Sequence, residues 1–386
     1  MSVLSLPPAR LSGPNVTKAN RKAFTLTTST SHQNELPDLF RRVAPDFEMP
    51  NPEEVPQLRW GIMGLGGIAR RFATEVPEYS DQIVAAVGSR SKEKALDFAF
   101  EFGVDDDRAH GSYEELVADP AVDAIYVSTP HVRHKEDALM ALRAGKPVLV
   151  EKSFAMTEEE AAEVFAEAEK RGLFAMEAMW SRTLPHYRFL DEVVKTGALG
   201  KLTSVESDHG QSLTHVARLM QPELGGGAML DLGVYPQHLA NMLLGDATEV
   251  AAVSRMTDTG VDAANVVATK HKDGLASSSS QLDGRTPTEA VLTFERGRVT
   301  LGYPFYNPCE VTLEVYEEDP DTGEVEVEEA TWDARVAGGF QYEAAEAAHQ
   351  IIEGNLQSPL VPWKSTLEVQ RIMDQVLKQA ETDSPA

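Results

Sequence analysis

The chain has 386 residues, 42% of them apolar and 25% charged, a length and balance that suit a soluble globular protein of two or three domains. Its 61 acidic residues against 35 basic ones leave a net charge of −26, which repels phosphate backbones and anionic membranes and excludes a general nucleic-acid or lipid binder. No apolar run approaches the ~18 residues of a membrane span. The single cysteine, Cys309, excludes an internal disulfide and a cysteine-based zinc site and points to a reducing, cytoplasmic setting.

The chain opens with residues 1–34, which hold four basic residues (Arg10, Lys18, Arg21, Lys22) and no acid. The first fifty or so residues are rich in Ser, Thr, Pro and Asn and show no periodicity, so residues 1–56 are expected to be a disordered tail and linker, stiffened at its end by Pro50, Pro52 and Pro56. A basic, acid-free start resembles a transit peptide, but a loose extension is the simpler reading. Neither a secretory signal nor a twin-arginine signal fits, because no apolar run follows. On this reading a chain starting near Pro52 folds and keeps its turnover.

Residues 58–63 are mostly apolar and read as a buried strand. They run into Gly64-Leu65-Gly66-Gly67-Ile68-Ala69 and then into a helix. This matches G-x-G-x-x-G/A: the first glycine allows the tight turn, the second lets backbone amides approach a pyrophosphate, and Ala69 lets helix and strand pack closely. The pyrophosphate then sits at a helix N-terminus, where free N–H groups favour an anion. The next strand, 83–87, ends at Gly88-Ser89-Arg90-Ser91, where NAD enzymes carry an acid for the ribose hydroxyl. Here two hydroxyls and a guanidinium stand instead, groups that suit a 2′-phosphate, so NADP is the expected cofactor.

The alternation continues through helices over 92–102 and 112–118, a short strand near 109, a strand at 123–129, a helix at 131–144, a strand at 147–151, a helix at 158–171 and a strand at 173–178. Such alternation predicts a doubly wound parallel sheet with its ligand beyond the carboxyl ends of the strands. The strand-end residues Ser128, Thr129, Pro130, Glu151, Lys152, Met179 and Trp180 are therefore of interest, and His131 and His134 stand close enough to touch a cofactor.

From residue 202 the pattern becomes mostly antiparallel. Strands are expected at 202–209, 249–254, 265–271, 276–281, 290–294, 298–301, 311–316 and 324–328, with turns such as Lys272-Asp273-Gly274 between them. Helices over 342–353 and 365–381 are expected to fold back onto the first half. The fold class is thus α/β plus α+β: a Rossmann domain over 57–179 and an open-sheet domain over 180–386. One segment breaks the strand pattern. Gly225-Gly226-Gly227 leads into an apolar helix whose few polar residues include Asp231, Tyr235 and His238, at a spacing of four and three that puts them on one face. Pro236 is expected to disturb that helix. A satisfied core network is the bland alternative for the three. No metal is expected, since the histidines, His209 and His215 included, show no ligand spacing.

Gly64 to Ala69, Glu151-Lys152, Met176-Glu177-Ala178-Met179-Trp180 and Gly225 to Tyr235 occur in an order that resembles the glucose–fructose oxidoreductase/inositol dehydrogenase family. The closest likeness is to the branch of dimeric dihydrodiol dehydrogenases and NADP-dependent D-xylose dehydrogenases. The resemblance covers residues 58–379. It implies that Lys152 lies near the nicotinamide, that Asp231 helps hold the substrate, that Tyr235 is the acid/base, and that the chain is a homodimer. Ser153 departs from the family's proline after the lysine. Hydride chemistry on a carbinol also needs a base, and a lysine ammonium beside a tyrosine is expected to lower the phenol's pKa toward that use. The expected reaction is NADP-dependent oxidation of a small cyclic polyol, an aldose at C1 by preference, with a trans-dihydrodiol or inositol-type polyol dehydrogenase, or a non-catalytic NADP-binding regulator, as alternatives.

Overall fold

The computed structural model describes residues 35–383. The first element, α1 (Asp38–Val43), overturns part of the tail expectation. Leu39, Phe40, Val43 and Ala44 are buried, and the Phe40 ring packs 5.0 Å from Phe189 and 5.9 Å from Trp332. Phe47 joins the same cluster, and Asn51 caps a short turn by accepting from the Glu53 amide. Six residues are too few to show a helical period, and their aromatic partners are far along the chain. Residues 1–34, the rest of the expected tail, lie outside the described residues.

Short buried runs then alternate with amphipathic helices: β1 (Arg59–Met63), α2 (Gly67–Tyr79), β2 (Ile83–Gly88), α3 (Lys92–Phe102), β3 (Ala109–His110), α4 (Tyr113–Val117), β4 (Ala124–Val127), α5 (His134–Arg143), β5 (Val148–Glu151), α6 (Glu158–Arg171) and β6 (Ala175–Ala178). All pairings are parallel, in the order β3-β2-β1-β4-β5-β6. The order reverses between β1 and β4, which opens a crevice at the carboxyl ends of those strands.

A helix that the sequence reading left unassigned, α7 (Pro185–Thr196), leads to the second sheet; Pro185 starts it and Gly197, in the left-handed region, ends it. That sheet holds β7 (Leu202–Gly210), β8 (Glu249–Met256), β9 (Asp262–Lys270), β10 (Leu275–Gln281), β11 (Ala290–Phe294), β12 (Gly297–Leu301), β13 (Glu310–Glu318) and β14 (Val325–Asp333), in the order β14-β13-β12-β11-β7-β10-β9-β8. Every pairing is antiparallel except β7 with β10. Burial alternates along β8, β11 and β12, as it does when only one face of a sheet is covered.

The covered face carries the helix led by the three glycines. It begins as a π-helical turn, Met229–Gly233, and continues as α8 (Val234–Leu244). Gly227 has φ +115°, and a Cβ there would meet Asp262 Oδ1 at 2.0 Å, so only glycine fits. Asp262 in turn accepts from the Met229 amide at 2.6 Å, and burial pushes its carboxyl up to about 6. Two further helices close the fold. The first, α9 (Phe340–Ile352), packs on α2, while α10 (Trp363–Asp383) packs on α6, α8 and β8. From α10, the Trp363 indole donates to the Ala175 carbonyl at 2.7 Å and Thr366 donates to Glu177 at 2.9 Å.

Candidate active site

A cleft of ≈ 930 Å³ runs from the N-termini of α2 and α3 to the start of α8. At its first end the β1–α2 turn provides a backbone cradle. Gly64 has φ +91°, and a Cβ there would meet the Thr129 amide nitrogen at 2.9 Å. The Ser128 hydroxyl locks this turn by donating to the Gly64 carbonyl at 2.7 Å. A Cβ on Gly66 or Gly67 would instead project into open space, and no side chain caps α2. The first amides of α2 therefore face the cleft with their hydrogen-bonding capacity free. Thr129 Oγ1, a buried oxygen in the cleft wall, also has no partner among the described residues. A glycine cradle, uncapped amides and an unpaired hydroxyl fit the pyrophosphate of a dinucleotide.

Ser89, Arg90 and Ser91 line the same end. Ser91 caps α3 by accepting from the Lys94 amide, and Arg90 has no salt bridge among the described residues. Lys94 and Tyr113 line it too, although the sequence reading did not single them out. Lys94 was accessible to that reading, since it sits in the first turn of the helix that Ser91 opens. Ala69, the last residue of the glycine motif and counted with the cofactor site, is fully buried in the core and does not itself line the cleft. Its role is the close packing of α2 on the sheet.

At the other end the cleft is lined by Pro130, His131, His134, Glu151, Lys152, Trp180, Asp231 and Tyr235, together with Ile68 on its way from the cradle. Lys152 Nζ donates to the Asp231 carbonyl at 2.7 Å, lies 3.6 Å from Asp231 Oδ1, and stands 5.0 Å from the centroid of the Tyr235 ring. Ser153 anchors this strand end, since its hydroxyl donates to the Leu230 carbonyl at 3.2 Å. Glu151 accepts from the Tyr126 hydroxyl at 2.5 Å and from the Lys152 amide at 3.1 Å. Burial raises its pKa against the pull of those contacts. His134 stands between the ends of β4 and β5, one ring nitrogen 2.8 Å from the Ser153 carbonyl and the other 2.7 Å from the Thr129 carbonyl; burial lowers its pKa, and the neutral ring donates to one of the two. His131 faces the Gly225 carbonyl at 2.9 Å, and burial lowers its pKa to about 4.

Burial alone would raise the Asp231 pKa, but Lys152 and Arg218 beside it outweigh that and hold it well below the usual carboxylate range. Arg218, on the loop before the three glycines, donates to Asp231 Oδ1 at 3.1 Å. Tyr235 behaves differently from expectation. Burial pushes its phenol well above the ordinary tyrosine value; the Trp180 indole, donating to its oxygen at 3.1 Å, opposes this, while Glu151 and Asp231 add to it. The ammonium of Lys152 does not reverse the burial cost, so the protonated phenol is the favoured form at neutral pH.

The expectation that His238 shares a face with Asp231 and Tyr235 is corrected. It is fully buried with Nε2 2.9 Å from Glu177 Oε2, and it does not line the cleft. Tyr235 and His238 both lie in α8, where three residues leave an offset of about 60° around the axis. Tyr235 lines the cleft beside Asp231, while His238 turns toward Glu177 on β6. His209 sits behind Tyr235, its ring 5.3 Å away, and burial lowers its pKa to about 3. Arg71, Arg218, Leu224, Tyr306 and Phe340 complete the wall, and none of them was expected from the sequence. The Arg71 guanidinium lies 4.7 Å from the Trp180 ring and 4.6 Å from the Phe340 ring, held at Nε by Glu75. Among the described residues no group of three or more His, Cys, Asp or Glu is placed to hold a metal ion.

Residues 58–179 match the family described as "Oxidoreductase family, NAD-binding Rossmann fold", and residues 187–300 match the GFO/IDH/MocA C-terminal domain. The chain belongs to the GFO/IDH/MocA oxidoreductase family. Among its relatives, a D-xylose 1-dehydrogenase (NADP(+)) from Hypocrea jecorina is 31% identical over 85% of this chain and 93% of its own. A trans-1,2-dihydrobenzene-1,2-diol dehydrogenase from Bos taurus is 33% identical over 83% of this chain and 96% of its own. A 3-ketoreductase from Actinomadura kijaniata, solved in complex with NADP and TDP-benzene, superposes with a TM-score of 0.71 at 26% identity, over 83% of this chain and 97% of its own. As in the family, the nucleotide-type sheet precedes the open sheet.

Proposed function

We propose that this oxidoreductase uses NADP to oxidise a small cyclic polyol, an aldose at C1, to the lactone, with Tyr235 exchanging the hydroxyl proton. The observation that carries the reading is the convergence of Lys152, Asp231 and Tyr235 at one end of the cleft whose other end is the glycine cradle. NADP is favoured over NAD by Ser89, Arg90, Ser91 and Lys94, four donors with no carboxylate among them. NADP, when bound, would supply the hydride acceptor for C1 of the sugar. The remaining work falls to the chain. The Asp231 carboxylate, held ionised by two cations, accepts from a neighbouring sugar hydroxyl and fixes the ring. Tyr235 Oη takes the proton of the C1 hydroxyl in oxidation and returns it to the carbonyl oxygen in reduction. The Lys152 ammonium, beside the phenol ring, favours the ionised tyrosine, and His134 and Ser153 hold the strand end that carries the lysine.

Burial keeps the phenol protonated, so oxidation should accelerate as pH rises into the alkaline range, whereas reduction should not need that rise. The same reading divides the chain into a nucleotide half, 57–179, and an open-sheet half, 180–386, working as a cytoplasmic homodimer. A second substrate class, a cyclic trans-dihydrodiol, is favoured by the aromatic wall of Trp180, Tyr235, Tyr306 and Phe340. NADPH formation across aldoses, cyclic polyols and trans-dihydrodiols decides between the two. Turnover of none of them, with NADP bound, would overturn the enzymatic reading.

A further inference from the structure

A second cavity, of ≈ 600 Å³, shares the Tyr306 ring with the main cleft. Three separate segments build it: the turn after β7, residues 285–288, and the loop after β12 that carries Tyr306 itself. On the cleft side the Tyr306 ring lies 4.6 Å from Tyr235. On the other side its hydroxyl accepts from Gln211, a residue of the second cavity, at 3.2 Å. The two spaces therefore meet at one aromatic wall beside the reactive tyrosine.

The lining of this second cavity has a specific chemistry. Gln211, Ser212, Thr286 and Asn307 bring amides and hydroxyls, which both donate and accept. Asn307 Oδ1, a buried atom behind the cavity wall, has no hydrogen-bond partner among the described residues. Arg285 reaches the rim and has no salt bridge among the described residues. Tyr303, also at the rim, leaves 69% of its surface in solvent, unusual for a large ring. Among the described residues no carboxylate lines the cavity, although the chain carries a net −26. A cation would find no counter-charge there, and a flat apolar ligand would leave the amides unpaired. A saccharide ring meets every feature: its hydroxyls donate and accept, and its C–H face lies against an aromatic ring.

We propose that this cavity is a second glycosyl subsite, so that the preferred substrate is a reducing disaccharide whose reducing ring occupies the main cleft with C1 at Tyr235 and whose next ring crosses Tyr306 into the cavity. The proposal rests on the aldose reading above and extends it from a single sugar to a chain of two. Binding energy from the remote ring then acts on the reacting one.

The test compares glucose with cellobiose and xylose with xylobiose, using the full chain with NADP. The disaccharides should show kcat/KM about ten-fold above the monosaccharides, the return expected for one or two added hydrogen bonds. Tyr303→Ala and Arg285→Ala should each remove most of that advantage and leave the monosaccharides unchanged. Equal kcat/KM for one ring and two, or parallel losses on both in the variants, would overturn the subsite. If no saccharide yields NADPH, the aldose reading fails by itself. Calorimetric titration with cellobiose then decides the subsite: a binding heat abolished by Tyr303→Ala supports it, and no heat in the unmodified chain overturns it.

Discussion

The two ends of the cleft are built from different material. The nucleotide end comes largely from one stretch, Gly64 to Lys94, and presents mainly backbone amides and the helix starts of α2 and α3. The reactive end gathers side chains from α2, the ends of β5 and β6, the π-helical turn, α8, the loop after β12 and α9. A backbone cradle needs only a correct local turn. A constellation of side chains needs the whole tertiary structure, and that structure also sets their acidity, as the opposite pKa shifts of Asp231 and Tyr235 illustrate. Damage at the first end should therefore read out in cofactor affinity, and damage at the second in turnover.

The sharpest way to break that contrast is Tyr235→Phe, which keeps the ring against Tyr306 and removes one oxygen. Turnover should fall by roughly 10²–10⁴-fold, the usual share of a general acid–base group, while NADP affinity measured by titration persists. Lys152→Met should lower turnover as well, and the double variant should lose less than the product of the two. Near-normal turnover in Tyr235→Phe would move the proton to another group.

Phe40→Ala probes whether the frame behind the reactive end matters as much. It empties a fully buried aromatic site and should cost about 3–5 kcal/mol in denaturant unfolding. For the same reason a chain starting at Pro52 should be markedly less stable, contrary to what the first fifty residues suggest by composition alone. An unchanged midpoint would show that α1 is dispensable.

Acidity supplies a third test. Burial lowers His131 and His186 to about 4 and His209 to about 3. Between those values and the unfolded histidine value near 6.5, the unfolded chain binds protons that the folded chain does not. Stability should therefore rise with pH and be lost as pH falls from about 6.5 toward 4, at about 3 kcal/mol for each such histidine by pH 4. A flat stability profile across that window would contradict the neutral burial of these rings.

The smallest expected effect lies at the nucleotide end. Arg90→Ala should weaken NADP by roughly ten- to a hundred-fold, the loss of a charge-assisted phosphate contact worth about 1.5–3 kcal/mol, and should leave NAD nearly unchanged. Equal affinity for both coenzymes in the unmodified chain would remove the phosphate reading of Ser89-Arg90-Ser91.

The same contrast explains what the sequence disclosed. The glycine turn, α6 over Glu158–Arg171 and β11 over Ala290–Phe294 were legible because each is written in a contiguous pattern. Lys152, Asp231 and Tyr235 do converge, but their convergence was carried by a family resemblance and not by spacing. Arg71 was illegible because its place depends on two rings, Trp180 and Phe340, that lie far along the chain. Tyr306 and Arg218 come from loops with no periodic signature. The His238 expectation failed because a spacing of three leaves an offset of about 60° around a helix, and only the packing shows which side of the cleft wall that reaches. The Tyr235 pKa went the other way because a sequence displays a neighbouring charge but not the depth at which it is buried.

One feature of the reactive end gives the protein an optical property of its own. Of the four tryptophans, Trp60 and Trp332 are sealed in the core and Trp363 is tied to the Ala175 carbonyl; only Trp180 borders the cleft, its indole N–H on Tyr235 and a guanidinium across its face. Its emission should respond to whatever occupies that end, against a constant background from the other three. The chain thus carries a built-in fluorophore at that end of the cleft, able to report occupancy without labels or turnover.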